Sequence, residues 1–259
     1  MPFTLAHVAV APPLLRPLGR FAHPAALGIG CVAPDLAYML PGNLAHSSHS
    51  PLGLIVLALP LGLLAFVLWH RYTLPGLLLL TPQRLRARLH SVGQQGKLIR
   101  AQLPAILLCL LVGAVGHAFV DSFTHAQSQG VQTFPILQSV LVEWRGHSLR
   151  VYKALQHGGS LLGMTFLACW CWRWLQGQEP REITGRMWTQ RQQIIAWVAL
   201  LAATAVVGLT VGAIIASSAG EGFFRFRVFV VRSVVFGGAT FIVGASVLGL
   251  VGARGSQNC

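Results

Sequence analysis

Leu103-Pro-Ala-Ile-Leu-Leu-Cys-Leu-Leu-Val-Gly-Ala-Val-Gly-His-Ala-Phe-Val-Asp-Ser-Phe-Thr-His125 is the stretch that decides the fold of this chain. The part Leu103–Val120 is apolar and almost as long as the roughly 20 residues that a helix needs to cross the hydrocarbon layer of a bilayer. The run ends in His117, Asp121 and His125, although the chain holds only six acidic residues, two of them aspartates. Because an unpaired buried charge is costly, we expect a compensating metal ion beside Asp121 and its imidazoles.

The composition places the chain among integral membrane proteins. Hydrophobic residues make up 54% and charged residues 10% of the 259 positions, and the mean hydropathy is +0.64. These values lie outside the range of soluble globular domains. The net charge of +13 does not indicate nucleic acid, because the arginines fall mostly in short segments between apolar runs. The expected partner is therefore the lipid bilayer, with no nucleic acid.

Apolar segments long enough to span a membrane recur along the chain. A weaker apolar stretch, Ala25–Met39, is interrupted by Pro34, so we expect a short re-entrant or interfacial helix ending near Ala33, with a spanning helix as the alternative. The fold class expected is an all-α integral membrane protein with about five transmembrane helices. A single membrane domain is expected over 1–259, with the His/Asp motifs in 1–165 and further spans in 166–259. The five spans are Leu52–Trp69, Leu103–Val120, Gly159–Leu175, Ile194–Ala219 and Val228–Val251.

The basic residues suggest an orientation. Segment 70–100 holds six basic residues and no acid, and segment 176–193 is also rich in arginine. A five-helix topology puts both on one side, which the positive-inside rule makes cytoplasmic. Several arginines, among them Arg145 and Arg150, fall on the opposite side against that rule. The His/Asp groups are then expected on the extracytoplasmic face of a bacterial inner membrane.

Histidines and aspartates far apart in sequence are expected to converge at that face. On an α-helix, His117 and Asp121 are offset by about 40° and ~6 Å, so both can bind one ion. His125 lies ~12 Å along the axis from His117, so it joins that ion only if the helix breaks near Ser122–Thr124. Otherwise it serves a second ion, with Asp121 as a bridge. Imidazoles with carboxylates suit Zn²⁺, and Mn or Fe are the alternatives. The candidate ligands are His7, Asp35, His46, His49, His117, Asp121 and His125.

Each candidate also has a structural interpretation. Asp35 could cap the helix that follows Pro34, His46-Ser-Ser-His49 could be a polar turn, and Asp121 could pair with Arg145 or Arg150. Glu221 is the outer-face acid best placed as a spare general base, although capping or pairing with Arg225 is favoured. Ordinary hydrogen-bonding roles are expected for His23, His70, His90 and His147.

The motifs resemble those of the bacterial membrane proteins of domain-of-unknown-function family 4184. The resemblance covers roughly residues 1–165. It rests on Met1-Pro-Phe-Thr-Leu-Ala-His7, Ala33-Pro-Asp35, His46-Ser-Ser-His49, Gly116-His-Ala-Phe-Val-Asp-Ser-Phe-Thr-His125 and Val151-Tyr-Lys-Ala-Leu-Gln156. The His/Asp pattern is also similar to that of membrane-bound metal-dependent hydrolases and, more remotely, of the helical zinc-dependent phospholipase C and nuclease fold. The resemblance implies a multi-metal site that cleaves a phosphodiester or ester, with Asp121 as a bridging ligand, and one to three ions are expected.

The function expected is that of a membrane-embedded metal-dependent hydrolase acting on a lipid or lipid-linked substrate. A metal-bound water would attack phosphorus or a carbonyl carbon, and the ions would stabilise the developing negative charge. Asp121 and Glu221 are the residues expected in catalysis. The alternatives are a transporter or metal-handling protein that uses the same residues as an ion path, and a non-catalytic membrane scaffold.

Overall fold

The computed structural model describes residues 3–40, 47–89, 92, 102–144, 147–182 and 188–255. Short 3-10 helices at Thr4–Val10, Gly19–Phe21 and Ala37–Met39 connect the N-terminal helices. The helices are α1 (Ala11–Leu18), α2 (Pro24–Gly30), α3 (Ala33–Leu36), α4 (Pro51–Leu80), α5 (Gln83–Arg88), α6 (Leu103–Ser122), α7 (Gln129–Thr133), α8 (Pro135–Gln138), α9 (Val151–Gln176), α10 (Gln190–Ser217) and α11 (Gly222–Gly255).

Within the described ranges, four helices are long and apolar enough to cross a membrane. They are α4, α6, α10 and α11, the last up to Gly252. These helices confirm the all-α membrane protein expected from the sequence, with four candidate spans. Helix α9 is 26 residues long and contains the predicted span Gly159–Leu175. It is less apolar than the other four, because polar residues such as Gln156 and Arg173 and three tryptophans dilute its apolar run. A fifth span therefore stays a prediction.

A two-stranded antiparallel hairpin, β1 (Val140–Trp144) and β2 (His147–Arg150), precedes α9. Val142 pairs with Leu149 and Glu143 with Ser148, and the register is irregular between Val140 and Val142. This hairpin was not predicted from the sequence, because its strands are much shorter than the apolar runs that indicate membrane spans. The β-branched Val140 and Val142 in a short run are the local signal for a strand.

The chain divides into two compact units, which are described separately. Unit 1 comprises residues 1–66 and 98–177, and unit 2 comprises residues 67–97 and 178–259. The single membrane domain expected from the sequence stays a prediction.

In unit 1, α2 crosses α6 at a close backbone approach. The core at this crossing is apolar and includes Leu27, Phe66 and Leu110. A Cβ atom on Gly113 would meet the Leu27 carbonyl oxygen and would lie 2.7 Å from the Cys31 nitrogen. Glycine at position 113 therefore lets the two helices touch one turn before His117.

Gly113→Ala is expected to destabilise the protein by about 2 kcal/mol. The added methyl group collides with backbone atoms that cannot move aside, and overpacking of this kind costs about 1–3 kcal/mol. The gain of about 1 kcal/mol in helix propensity does not offset a collision with the backbone. Thermal unfolding in detergent measures the effect. Gly159→Ala is the matched control, because a Cβ there meets nothing within 4 Å. Equal melting temperatures for the two variants would contradict the close crossing.

The segment after α2 differs in detail from the expectation. The helix ends at Gly30, three residues before the predicted Ala33, and α3 starts at Ala33 with Pro34 in its first turn. Proline is tolerated there because it has no N–H to leave unpaired. Val32 occupies the position before the helix and Asp35 lies inside the first turn, so Asp35 does not act as the cap. Its carboxylate is left for other partners.

Unit 2 packs α10 and the end of α4 against α11. A Cβ on Gly208 would lie 2.7 Å from the Ser233 carbonyl oxygen, and one on Gly249 would meet the Tyr72 carbonyl oxygen. Thr73 and Ser246 hydrogen-bond through their hydroxyls at 2.8 Å. Small residues at helix contacts and hydroxyl hydrogen bonds are typical of membrane helix packing.

Candidate metal centre

His117 forms the floor of a buried polar cluster at the end of α6. The side chain is fully buried, and its Nδ1 lies 2.7 Å from the Cys31 carbonyl oxygen. Because a carbonyl only accepts, Nδ1 carries the proton and donates, which leaves the lone pair on Nε2. That nitrogen lies 3.3 Å from Asp121 Oδ2 and 3.6 Å from Asp35 Oδ1. A second hydrogen bond of this kind is how proteins orient metal-binding histidines.

Asp35 enters the cluster from α3. Thr4 donates its hydroxyl to Oδ2 at 2.6 Å, whereas Oδ1 is buried with no hydrogen-bond partner among the described residues. Burial alone would raise the pKa of Asp35, but His49, His117 and the Thr4 hydroxyl outweigh it and lower the pKa below its usual value. The carboxylate is therefore ionised, and its orphaned oxygen faces the cluster.

His49 lies just before α4 and completes the cluster. Its Nε2 is 3.2 Å from His117 Nε2 and 3.5 Å from an oxygen of each aspartate. Ser48 donates its hydroxyl to the Pro34 carbonyl oxygen at 2.9 Å, so its contact of 3.1 Å with His49 Nδ1 is made as an acceptor. The proton then sits on Nδ1, and the Nε2 lone pair faces inward, as in His117.

Asp35, His49, His117 and Asp121 together bring four ligand atoms within 4.8 Å of one another. Five of the pairwise separations lie between 3.2 and 3.6 Å. A tetrahedral ion with bonds of about 2.0–2.1 Å holds its ligand atoms about 3.3 Å apart. Two carboxylate oxygens and two lone pairs at these distances repel one another unless a cation lies between them. The four residues therefore could hold a metal ion.

Asp121 faces a second group of side chains through Oδ1. His7 Nε2 lies 3.0 Å from that oxygen, and His125 Nδ1 and Thr124 Oγ1 each lie 3.4 Å from it. The ring of His7 stacks on His117 with centroids 3.9 Å apart. His7 and His125 therefore contact the carboxylate oxygen that points away from the four-atom cluster. They orient Asp121, and their predicted role as ligands requires a second ion that Asp121 bridges.

The helix breaks near Ser122–Thr124, as binding of His125 to the same ion as His117 would require, but the turn brings His125 to Asp121 Oδ1 and not into the four-atom cluster. Helix α6 ends at Ser122, and the following turn brings His125 Nδ1 to 3.2 Å from the Asp121 carbonyl oxygen. Burial lowers the pKa of His125 below its usual value, although the charge of Asp121 raises it. A neutral imidazole results, which is the form that binds metal.

The other predicted residues take different places. His46 lies outside the described residues. Glu221 is an exposed residue of unit 2 in the turn before α11, whereas the cluster is formed within unit 1; its role as a base stays a prediction. Arg150 donates to the Gln138 carbonyl oxygen and Arg225 to that of Gly220. His23 caps α2 by accepting from the Ala26 nitrogen, which confirms its structural role.

Residues that hydrogen-bond to the clustered side chains were not predicted from the sequence. Thr4, Ser48 and Thr124 all stand next to, or within three residues of, a predicted ligand. Tyr38, three residues after Asp35, sets its ring edge-on to His49 with centroids 6.3 Å apart. Their closeness in sequence to predicted ligands was the one feature that could have indicated them. Hydroxyl residues near a histidine are, however, too common for that closeness to identify a supporting residue.

The model of a family described as domain of unknown function (DUF4184) matches residues 1–250. The match therefore extends past the roughly 165 residues whose motifs carried the resemblance and includes α10 and nearly all of α11. No curated protein and no solved structure matches the chain.

Proposed function

The chain belongs to the DUF4184 family, and we propose that it is a membrane-embedded metal-dependent hydrolase. The observation that carries the proposal is the set of four ligand atoms on Asp35, His49, His117 and Asp121, spaced as around a tetrahedral ion. Every one of these side chains has a further hydrogen bond or ion pair that fixes its orientation. Such support is typical of functional metal sites.

A divalent ion held there would lower the pKa of a bound water and stabilise negative charge on a substrate oxygen. The chain's own residues supply the orientation and the access. The side chain of His117 is fully buried and that of His49 is 22% exposed, so water and substrate approach past His49. Four protein ligands alone would make a closed tetrahedral site, which is typical of structural zinc. Catalysis therefore requires a fifth ligand position on the open side, where water or substrate would bind.

Tyr38 stands at this open side, half exposed and next to His49. Burial and the carboxylates of Asp35 and Asp121 raise its pKa. The phenol therefore keeps its proton at neutral pH and is able to donate a hydrogen bond to a substrate oxygen. We assign it this role in the proposed reaction.

The substrate class proposed is a phosphodiester or ester of a lipid or lipid-linked molecule, because His117 and Asp121 lie on α6, a helix long and apolar enough to cross a membrane. With α9 as a fifth span, the positive-inside rule favours the extracytoplasmic face of a bacterial inner membrane. Zn²⁺ is the expected metal, with Mn or Fe as alternatives. We also propose that the segment around α2 and α3 is re-entrant or lies at the membrane interface.

His117→Ala tests the proposal, with His157→Ala as the matched control because His157 is exposed on α9. The wild type and the control are expected to purify in detergent with near-stoichiometric metal by mass spectrometry and to cleave a chromogenic phosphodiester. The His117 variant is expected to lose both the metal and the cleavage. Both variants are first checked for membrane insertion and monodispersity.

Two outcomes would reject the hydrolase. Bound metal without hydrolysis of any phosphodiester or ester offered would favour the metal-handling alternative. No metal in the wild type, even after reconstitution with Zn²⁺, Mn²⁺ and Fe²⁺, would leave the membrane scaffold as the interpretation.

A further inference from the structure

Unit 2 contains a cleft that has no part in the metal centre. Its volume is about 280 Å³. The walls come from the last turns of α4, from α5 and from the end of α11, and we call it the α4–α5–α11 cleft. Its lining residues are His70, Leu74, Pro75, Leu78, Leu79, Arg86, Gly249 and Gly252.

The cleft exists because α11 approaches α4 very closely. A Cβ on Gly252 would meet the Leu79 side chain, and a Cβ on Gly249 would lie 3.0 Å from the Gly76 nitrogen. The two glycines leave a concave apolar wall where larger side chains would fill the space. His70 lies in a π-helical turn of α4, Trp69–Thr73, and is 9% exposed. Such turns change the direction of side chains along a helix and occur frequently at functional sites.

Arg86 brings a positive charge to this apolar wall. The side chain is half-buried on α5, and each ion pair among the described residues joins a histidine to an aspartate, so Arg86 has no carboxylate partner there. A guanidinium in apolar surroundings without an anion is costly. An anion from outside the protein would satisfy Arg86 at the wall that His70 also lines.

The surroundings indicate which anion this is. Arg86 belongs to the segment 70–100, which contains no acidic residue. The same segment also contains Arg84 and Arg88. Leucine walls beside the guanidinium of Arg86 at the end of a spanning helix match a lipid, whose phosphate meets the cation and whose acyl chain follows the leucines. A soluble anion would use the charges and leave the apolar wall without a role.

We propose that the α4–α5–α11 cleft binds the headgroup phosphate of an anionic phospholipid through Arg86. This site is independent of the metal centre and of the hydrolase proposed above. It would hold one lipid at a fixed place on unit 2.

Arg86→Gln tests the site on the full-length protein in detergent, with phosphatidylglycerol, phosphatidylcholine and glycerol phosphate as probes. Native mass spectrometry at constant ionic strength counts bound lipid. The wild type is expected to retain one phosphatidylglycerol in preference to phosphatidylcholine, and Arg86→Gln is expected to weaken that binding about fivefold, the effect of one basic residue near an anionic lipid. Arg84→Gln is the matched control, because Arg84 is exposed on the same helix and does not line the cleft. Arg86→Lys is expected to retain most of the binding, since the charge remains.

Three results would overturn the proposal. Equal weakening by Arg84→Gln would mean that the lipid follows the overall charge and not the cleft. If phosphatidylcholine were retained as well as phosphatidylglycerol, the cleft would not distinguish lipids by their headgroup charge. Displacement of the lipid by equimolar glycerol phosphate would mean that the cleft is a site for a free anion.

Discussion

Asp121→Asn is expected to abolish metal loading, with a loss of affinity greater than about a hundredfold. Changing a residue that only orients a ligand costs about 10–100-fold, and in the proposed site Asp121 would supply a ligand oxygen itself. The substitution removes the negative charge next to His49 and His117. It also weakens the contact with His7 on the opposite oxygen, where the amide replaces a carboxylate. The shape of the side chain is kept, so α6 and its insertion into the membrane should persist.

Metal content after purification measures this effect, together with phosphodiester cleavage. Glu143→Gln is the matched control, because it also neutralises a carboxylate but lies exposed on β1. The control is expected to keep its metal and its rate. Full metal occupancy in Asp121→Asn would contradict both the four-ligand cluster and the bridging role of Asp121.

Removal of the metal by a chelator is expected to lower the melting temperature of the wild-type protein by about 10 °C. A ligand present at a thousand times its Kd stabilises the folded state by about 4 kcal/mol, and 1 kcal/mol corresponds to about 2–4 °C for a chain of roughly this length. The physical reason is local. Without a cation, the oxygens of Asp35 and Asp121 and the lone pairs of His49 and His117 face one another at 3.2–3.6 Å.

Thermal unfolding in detergent with and without chelator checks this result. Asp121→Asn serves as the control, since a protein that does not load the metal should melt at the same temperature in both conditions. Re-addition of the metal should restore the wild-type melting temperature. An unchanged melting temperature in the wild type would show that the cluster is stable without an ion and would contradict the proposed site.

Much of the fold could be read from local sequence, because the signals are local. Roughly 20 apolar residues in a row predict a spanning helix wherever they occur, and four of the five predicted spans correspond to helices apolar enough to cross a membrane. Helix α9 shows the limit of this reading. Its apolar run was long enough, but its polar residues and tryptophans reduce its hydropathy. The hairpin of β1 and β2 was missed for a related reason, since short strands carry a weak signal.

The sequence by itself determined the part of the site that lies on one helix. His117 and Asp121 share a face of α6 because the helical period fixes residues four apart, whereas the close crossing of α6 with α2 at Gly113 is a finding of the structure. What only the tertiary structure decided is which distant residues join them. That crossing places the Cys31 carbonyl oxygen on His117 Nδ1 and so turns Nε2 towards Asp35 and His49. The turn after Ser122 sends His125 to the other oxygen of Asp121, beside His7. Spacing along the chain does not specify such positions, since they depend on how helices far apart in sequence pack against one another.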